Sequence, residues 1–516
     1  MILVHLPSAP PLFPPPGVHY LASYLEKKGI NVSIIDINIE LYHAKPDIWK
    51  NTADFLKSYK YDKEFRQYMD LFIPKAAEML LERNDPYIGF SCFEGTFIMT
   101  QLIMIALKKA SSGVKIIAGG PDVYEHIGMY KELVNKDIID FIVLKEGEKK
   151  LLSILTHQTP LPEGIITKDN ISKNYDHFKD TIMLDLETES HPLSHIKHYP
   201  EMYAQYKMLP VYASRGCSSN CTFCAHKILW DGYRVKKPIS MIRELNLYKR
   251  KFQTSTFYFV DMLLNGNRQF LTEFIQLLMI NPHKFLWSSY FRVDPLFQDQ
   301  KFVSNLVKAG LRFISIGVES HSQFVLNRVK KGTRIADNIH TIRHLSQAGL
   351  FLHISFIIGL PGESLEYCID TLEFVKDMIW YMDHIEIFFF QNYKQSIGYA
   401  MSEEDLNEPD NAYDHSFKKD LFGKYLVKFN DMGSFFIHAK YIYHEHGPIY
   451  KKTITDYYKS NKDDCDNNHF SLELKKSHPL ISEDSLFMDI MKNMYKFKME
   501  QIQILQNMIN EIRQEL

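Results

Sequence analysis

The chain has 516 residues, of which 45% are hydrophobic and 24% charged, and this composition excludes a largely disordered protein. Its 60 Lys and Arg residues nearly balance 62 Asp and Glu residues, so the formal charge of −2 gives no electrostatic case for binding nucleic acid or an anionic membrane. No apolar run reaches the roughly 18 residues that a membrane span needs, and the first residues lack the basic start of a signal peptide.

Residues 1–155 alternate short apolar runs with helical patterns. The runs that predict strands are Ile2–His5, Val32–Ile37, Tyr87–Ser91, Lys115–Ala118 and Phe141–Leu144. Helical spacing between them, as in Thr100–Ala110, indicates a parallel sheet that is covered by helices on both faces. Because ligands of such sheets bind beyond the carboxyl ends of the strands, this edge is a candidate binding site.

Residues 206–395 repeat this alternation after a polar, Pro-containing segment, 156–205, that is predicted to be a linker. Six apolar runs in 206–395 predict strands: Leu209–Ala213, Phe257–Asp261, Phe285–Tyr290, Phe313–Gly317, His353–Ile358 and His384–Phe388. Helical patterns separate them at intervals typical of a barrel. The fold class is therefore predicted to be α/β, with a partial (β/α)6 barrel after the N-terminal sheet.

Residues 396–516 form a third region, which is predicted to be mainly helical and to contribute to substrate binding. Its last residues place Ile502, Leu505, Ile509, Ile512 and Leu516 at spacings of three and four, which is typical of an amphipathic helix. A helix packed on its own domain is favoured over a coiled-coil dimer, because the pattern spans barely two heptads.

Three of the six cysteines fall within eight residues, at Cys217, Cys221 and Cys224. This uneven distribution argues against a disulfide framework and predicts a cytoplasmic protein with a local metal site. Three thiolates on one loop are able to hold three irons of a cubane cluster, which leaves the fourth iron open. A zinc site completed by His226 is less favoured, because a Cys-x-His spacing closes a poor tetrahedron. Three unrelated thiols, or a disulfide with a spare thiol, are the least favoured alternatives.

The spacing Cys217-x3-Cys221-x2-Cys224, with Phe223 before the last cysteine, resembles the signature of the radical S-adenosylmethionine (SAM) enzymes. The resemblance implies a 4Fe–4S cluster whose open iron binds SAM, and an external one-electron reductant such as flavodoxin or ferredoxin. In that family, reductive cleavage of SAM releases a 5′-deoxyadenosyl radical, which abstracts hydrogen from an unactivated position. The partial barrel of this family agrees with the six strands predicted above.

Further segments that follow the predicted strands resemble motifs of the same family. Asp261 ends the second strand, Arg292 follows the third, Glu319 ends the fourth and Gly359 follows the fifth. Barrel active sites lie at this end of the strands. The resemblance implies that Arg292 and Glu319 contact the methionyl or ribose groups of SAM and that the backbone at Gly359 approaches the adenine. Phe223 and Asp261 complete the predicted SAM-binding set.

The N-terminal region resembles the Rossmann-like, cobalamin-binding-type domain that precedes the barrel in one large branch of the family. The similarity lies in the segments Pro14–Gly17, Ile34–Asp36, Gly89–Ser91, Ala118–Asp122 and Glu146–Glu148. It implies that Ser91, Gly119, Gly120 and Glu146 bind cobalamin, with the glycines allowing close approach of a large ligand. The chain lacks the Asp-x-His-x-x-Gly loop whose histidine ligates cobalt in many cobalamin proteins; this loop is often absent from this branch.

The resemblance covers about two-thirds of the chain and implies a cobalamin-dependent radical SAM enzyme. Its most favoured outcome is C-methylation of an unactivated centre in a natural product, another small molecule or a peptide. A second hypothesis keeps the architecture but replaces methyl transfer by rearrangement, cyclisation or oxidation. A third, of another class, is a metal sensor that uses the three cysteines structurally.

Overall fold

The computed structural model describes residues 1–7, 14–93, 95–175, 178–187, 208–224, 229–390, 452 and 485–515. The chain divides into two compact units. The first comprises residues 1–210, 226–236 and 250–254, and the second comprises residues 211–225, 237–249 and 255–516. Among the helices of the described ranges, none is long and apolar enough to cross a membrane.

The first unit is built on a six-stranded sheet in the order β2-β1-β3-β4-β5-β6. Its elements in chain order are β1 (Ile2–His5), α1 (Pro16–Lys27), β2 (Ser33–Asp36), α2 (Ile37–Ala44), α3 (Pro46–Asn51), α4 (Phe55–Tyr61), α5 (Lys63–Leu81), β3 (Tyr87–Ser91), α6 (Phe97–Ala110), β4 (Lys115–Gly119), α7 (Pro121–Glu125), α8 (Ile127–Asn135), β5 (Phe141–Val143), α9 (Glu148–Leu155) and β6 (Ile165–Ile166). Strands β1 to β5 are parallel, whereas β6 pairs antiparallel with β5. All five predicted strands form.

The centre of this sheet is apolar because helices cover both faces. Ile2, Ile88 and Ile116 are completely buried, as expected for strands of a parallel sheet. The chain passes from β1 outward to β2 and then back to β3 on the other side of β1, which creates the switch point where such sheets bind ligands. His5 and Ser91, the last residues of β1 and β3, are in register at that point.

Within the first unit, a fully buried ion pair joins the segment after β6 to helix α9. The Lys150 Nζ atom lies 2.5 Å from the Asp180 carboxylate, and the two side chains are 0% and 1% exposed. Lys150 also donates a hydrogen bond to the Glu146 carbonyl oxygen at 3.1 Å. Because both charges are removed from water, each one depends on the other for its stabilisation.

We expect Lys150→Met to lower the free energy of unfolding by roughly 3–5 kcal/mol, since the substitution leaves the Asp180 carboxylate buried without a counter-charge. Chemical denaturation followed by circular dichroism measures the loss. Lys168→Met is the matched control: Lys168 pairs with Asp137 at 2.7 Å, but both side chains are exposed. That control is expected to cost less than about 1 kcal/mol. Equal losses for the two variants would contradict the prediction.

The other six-stranded sheet has the order β14-β13-β12-β11-β10-β7, and its strands β10 to β14 belong to the second unit. The remaining elements of the chain are β7 (Met208–Val211), β8 (Ser214–Arg215), β9 (Arg234–Val235), α10 (Pro238–Phe252), β10 (Thr256–Phe259), α11 (Arg268–Ile280), β11 (Leu286–Phe291), α12 (Gln300–Lys308), β12 (Leu311–Glu319), α13 (Gln323–Arg328), α14 (Ile335–Gln347), β13 (Phe351–Ile358), α15 (Leu365–Met378), β14 (His384–Phe389) and α16 (Ser485–Glu515). Neighbouring strands from β10 to β14 are parallel. The predicted α/β class with six βα-type strands is confirmed.

The C-terminal helix α16 packs on the second unit. Its buried apolar side chains are Leu505, Met508, Ile509 and Ile512. At the border of this contact with α15, Lys376 donates to the Gln506 side chain at 3.1 Å and Arg513 pairs with Glu373 at 3.1 Å. The preferred prediction for this helix, that it packs within its own chain, is confirmed. Residues 391–451 and 453–484 lie outside the described ranges.

Candidate active site of the barrel

The three cysteines lie on the loop that leaves the first strand of the barrel. Cys221 is buried, whereas Cys217 and Cys224 are half-buried, and none of the three is in a disulfide. The loop is held by backbone hydrogen bonds, from the Thr222 amide to the Val329 carbonyl at 3.0 Å and from the Ser219 amide to the Cys217 sulfur at 3.4 Å. The loop therefore carries three sulfur atoms that form no disulfide with one another. His226, the alternative zinc ligand, lies outside the described residues.

Asp261 anchors the start of this loop. Its buried carboxylate accepts hydrogen bonds from the Ala213 amide at 3.2 and 3.1 Å, and from both the amide and the hydroxyl group of Ser214 at 2.5 Å. The last residue of the predicted second strand thus fixes the backbone that precedes the cysteines. The SAM-binding role that the resemblance implies for Asp261 remains a prediction, and the contacts show a positioning role.

Arg292 joins the cysteine loop to the ends of two neighbouring strands. Its guanidinium donates to the Ser219 hydroxyl and, at 2.7 Å, to the Lys331 carbonyl oxygen. Its backbone is held by Asn265, whose side chain both accepts from the Arg292 amide at 3.0 Å and donates to its carbonyl at 2.9 Å. Arg292 therefore places a permanent positive charge beside the cysteine loop.

Glu319 and Lys331 form a buried ion pair near the same loop. The Lys331 Nζ atom lies 2.7 Å from the Glu319 carboxylate and 5.9 Å from the centre of the Phe223 ring. Glu319 has a φ of 71°, an unusual conformation for a residue with a side chain, and it sits at an irregularity in the β12–β13 register. A β-carbon at Gly317 would lie 2.1 Å from the Glu319 carboxylate, so only glycine leaves room for this carboxylate.

The charges around Cys221 act in opposite directions on its thiol. Burial raises the pKa of Cys221, and Lys331 and Arg292 partly offset this effect. Burial alone would lower the pKa of Lys331, but the adjacent Glu319 carboxylate holds this pKa above its ordinary value, so the lysine stays charged. Two cations therefore lie next to a cysteine set that becomes negatively charged when it binds metal.

Gly359 begins a tight turn that is organised around a buried carboxylate. Its φ is 82°, and its amide donates to the Glu363 carboxylate at 2.5 Å. The same carboxylate accepts hydrogen bonds from the Cys368 thiol at 3.6 Å and from the Ser320 hydroxyl at 3.5 Å. Burial raises the pKa of Glu363 to about 7, although the hydrogen bond from Gly359 opposes this shift. Glu363 thus ties the turn after β13 to the end of β12.

We expect the Glu363 side chain to make stability depend on pH between about 4.5 and 7, because the folded chain keeps a proton that the unfolded chain releases in this range. The stability of the native protein relative to Glu363→Gln should then fall by up to about 3 kcal/mol as the pH rises through this window. Anaerobic denaturation of both proteins at pH 5 and 8 measures the difference. Glu366→Gln, an exposed position on the same turn-helix segment, should lack this trend. A pH-independent difference for Glu363→Gln would contradict the prediction.

A polar cavity of about 540 Å³ adjoins the cysteine loop. Its lining includes Ser218, Asn265, Arg292, Asp294, Gly332 and Thr333. The volume falls within the range of small-molecule sites, and the lining combines two arginines, Arg268 and Arg292, with two aspartates, Asp294 and Asp337, and several neutral hydrogen-bonding groups. The barrel thus has, next to the cysteines, room for a ligand with charged and polar groups.

The residues predicted to bind cobalamin lie at the carboxyl edge of the first unit. Ser91 ends β3, and Gly119 ends β4. Gly120 has a φ of 109°, and a β-carbon there would lie 2.3 Å from the Cys92 carbonyl oxygen, so neighbouring backbone already accounts for this glycine. Glu146 is buried, pairs with Arg234 and accepts from the Leu184 amide at 3.0 Å. The structure therefore gives Gly120 and Glu146 local roles, and their contact with cobalamin remains a prediction.

Residues 211–375 match the family model described as the Radical SAM superfamily. This range includes the cysteine loop, Arg292, Glu319 and the turn at Gly359. The chain therefore contains a region that matches a radical SAM domain, as the resemblance predicted, and such a domain implies a 4Fe–4S cluster and SAM.

Known proteins resemble the chain beyond this domain. The anaerobic magnesium-protoporphyrin IX monomethyl ester cyclase of Cereibacter sphaeroides is 24% identical over an alignment of 327 positions, and this alignment covers 59% of this chain and 51% of that protein. The chain thus aligns with about half the length of this curated relative. Several other curated relatives are methyltransferases by name.

Two solved structures share the fold. The cobalamin-dependent SAM radical enzyme OxsB with aqua-cobalamin bound has a TM-score of 0.62 at 17% identity, covering 100% of this chain and 84% of that one. The radical SAM methyltransferase TsrM from Kitasatospora setae, with cobalamin and a 4Fe–4S cluster bound, has a TM-score of 0.60 at 16% identity, covering 78% and 77%. The predicted combination of an N-terminal α/β region and a radical SAM barrel is therefore confirmed at the level of the fold.

Two residues of the site were not among the predicted site residues. Lys331 lies in the short segment Lys330–Thr333, and Glu363 lies in Ile357–Glu363, the segment that also contains Gly359. Nothing in these segments indicates that Lys331 pairs with Glu319 or that Glu363 binds the amide of Gly359. A signal was present in the Gly-Leu-Pro-Gly-Glu turn, because an acidic residue at the end of a glycine-rich turn is well placed to accept hydrogen bonds from its amides.

Proposed function

We propose that this chain is a cobalamin-dependent radical SAM enzyme that transfers a methyl group to an unactivated carbon centre of a small molecule or peptide. The observation that carries the proposal is the loop of three cysteines outside any disulfide at the mouth of the barrel, flanked by the buried cation Lys331 and by Arg292. When bound, the 4Fe–4S cluster would supply the electron that cleaves SAM, and cobalamin would supply the methyl group that is transferred. An external reductant such as flavodoxin or ferredoxin is needed as the electron source.

The residues present fit a 4Fe–4S cluster. Cys217, Cys221 and Cys224 supply three sulfur donors and no fourth, which leaves one iron open for SAM. Asp261 holds the start of the loop in place through hydrogen bonds to two consecutive amides. Lys331 lies close enough to offset the negative charge that the thiolates acquire.

In this proposal, three of the predicted residues would hold SAM. Arg292 offers a guanidinium at the wall of the cavity beside the cysteine loop, which suits the carboxylate of the methionyl group. Glu319 offers a carboxylate on the same side of the barrel, which suits the ribose hydroxyls or the amino group. The turn at Gly359 has no side chain at its first residue, so an adenine ring would be able to approach the backbone closely there.

The first unit also fits a ligand at its carboxyl edge. His5 is 7% exposed, and its Nδ1 atom has no hydrogen-bond partner within the part of the chain that the structure describes. Burial lowers the pKa of His5, so the imidazole is neutral, and the ring stacks on Phe93 at a centroid distance of 5.0 Å. A buried, neutral nitrogen at the switch point of the sheet would be satisfied by contact with a bound cofactor. This position of His5 supports the proposal that cobalamin binds at this edge.

The test is anaerobic reconstitution of the full chain with iron, sulfide and hydroxocobalamin, followed by gel filtration and an absorption spectrum. The protein is then reduced and given SAM whose methyl group carries deuterium. We expect iron–sulfur and corrinoid absorbance to elute with the protein, and both 5′-deoxyadenosine and S-adenosylhomocysteine to form. The matched control is Cys221→Ala, which should retain the corrinoid but produce no 5′-deoxyadenosine.

The outcomes separate the parts of the proposal. Protein that holds zinc, lacks iron–sulfur absorbance and leaves SAM intact would contradict any radical mechanism. Formation of 5′-deoxyadenosine without S-adenosylhomocysteine, or loss of the corrinoid on gel filtration, would contradict methyl transfer and favour a rearrangement, cyclisation or oxidation.

A further inference from the structure

Two histidines and a glutamate meet on the last two strands of the barrel, away from the cysteine loop. His353 on β13 is paired in register with His384 on β14, and Ser355 is paired with Glu386. All three side chains are largely buried, with exposures of 13% for His353, 9% for His384 and 14% for Glu386. We call these three residues the barrel His/Glu cluster. Neither the sequence motifs nor the proposed SAM and cobalamin sites include them.

The nitrogen and oxygen atoms of the cluster lie close to one another. The Nε2 atom of His353 lies 2.8 Å from one oxygen of the Glu386 carboxylate, and the Nε2 atom of His384 lies 3.5 Å from the other. One ligand atom from each of the three residues lies within 4.8 Å of the other two. Two imidazoles and one carboxylate in this arrangement are a frequent ligand set for zinc and for divalent iron.

A neighbouring serine orients one of the rings. The Ser315 hydroxyl on β12 lies 2.7 Å from the Nδ1 atom of His353, so the Nε2 atom of this ring is directed at Glu386. Metal-binding histidines usually have their second nitrogen engaged in this way by a polar group. Ser315 is itself buried, which makes it a fixed partner for the ring.

The cluster faces the side of the sheet that carries the candidate active site. Ser315 and Gly317 share one face of β12, since side chains alternate along a strand, and the Glu319 carboxylate lies directly against Gly317. Ser315 and Glu319 are four residues apart, which is about 13 Å along a strand. On the neighbouring strand β11, Tyr290 is paired with Ser315 and is 42% exposed. An accessible surface therefore adjoins the cluster.

We propose that His353, His384 and Glu386 bind a divalent first-row transition-metal cation, with Zn²⁺ as the probe. Three protein ligands leave at least one coordination position open, and such a cation would hold an oxygen or nitrogen donor of a molecule that enters the barrel. The alternative is that the cluster only ties β13 to β14 by hydrogen bonds. Metal binding is measured without substrate, so failure of this proposal leaves the proposed function untouched.

The experiment uses the full chain after anaerobic cluster reconstitution, so that iron occupies the cysteines. Equilibrium dialysis against micromolar Zn²⁺, with metal content from mass spectrometry, should give about one zinc per chain in addition to iron. Glu386→Gln and His384→Asn should each weaken zinc binding by at least about 100-fold. His340→Asn, a change at an exposed histidine of α14, is the matched control and should bind zinc like the native protein. Unchanged iron content in each variant shows that the barrel is folded.

X-ray absorption at the zinc edge of the native protein supplies a second measurement that needs no variant. We expect nitrogen and oxygen neighbours at about 2.0 Å with imidazole scattering, and no sulfur neighbour at about 2.3 Å. A sulfur shell would place the zinc on the cysteines and overturn the proposal. Absence of zinc at tenfold excess, or equal binding by the native protein and Glu386→Gln, would also overturn it.

Discussion

Replacing Cys221 with serine is expected to remove the 4Fe–4S cluster and with it the cleavage of SAM. The side chain is the buried member of the cysteine set, and burial already raises the pKa of its thiol. A serine hydroxyl at this position would be far harder to ionise and is a poor ligand for iron. We expect 5′-deoxyadenosine formation to fall by on the order of 10³ or more, which corresponds to about 4 kcal/mol in the activation free energy.

Iron content, the iron–sulfur absorbance and 5′-deoxyadenosine are measured after identical anaerobic reconstitution. Cys92→Ala is the matched control because Cys92 is a fully buried thiol of the first unit, and burial raises its pKa to about 12. This thiol is therefore protonated and inert, and its removal should cost stability but leave iron content and SAM cleavage intact. SAM cleavage that survives in Cys221→Ser and disappears in Cys92→Ala would contradict the assignment of the cluster ligands.

The strands of the barrel were predictable because each is a short apolar run, and three of the six end at, or directly before, a charged residue or a glycine. The prediction for β12 was Phe313–Gly317, whereas the strand extends over Leu311–Glu319. Arg312 interrupts the apolar pattern, yet it is buried inside the strand and donates to the Val307 and Leu311 carbonyl oxygens at 3.0 Å. A hydropathy pattern does not show that a charged side chain is buried and donates hydrogen bonds to backbone oxygens. The two-residue strand β6 was also missed, because two apolar residues define no period.

The site was predictable where its chemistry is local in sequence. The cysteine ligands lie within eight residues, so their spacing alone indicates the cluster. The contacts that shape the site join distant residues instead: Asp261 binds amides 47 and 48 positions earlier in the chain. Glu146 shows the same limit, since its partner Arg234 lies 88 positions away. A motif identifies which side chains belong to the edge of the sheet, but the direction in which each one points depends on such long-range partners.

Lys331→Met is expected to lower the free energy of unfolding by roughly 3–5 kcal/mol and to abolish SAM cleavage, because it leaves the Glu319 carboxylate buried without its counter-charge. The pair lies at 2.7 Å with both side chains almost fully buried, so solvent screens the interaction little. The double variant Lys331→Met/Glu319→Gln removes both charges. It should regain most of the lost stability, since a buried pair is often replaced by neutral groups at little cost.

Function is expected to respond differently from stability in this cycle. If Glu319 contacts SAM and Lys331 offsets the charge of the cysteine loop, the double variant recovers its fold but not SAM cleavage, while Glu319→Gln alone weakens SAM binding. Denaturation midpoints, SAM affinity from equilibrium dialysis and 5′-deoxyadenosine formation are measured on all four proteins. A double variant that regains both stability and SAM cleavage would show that the pair only stabilises the barrel, because the two charges would then be dispensable for the chemistry that the cysteine loop performs.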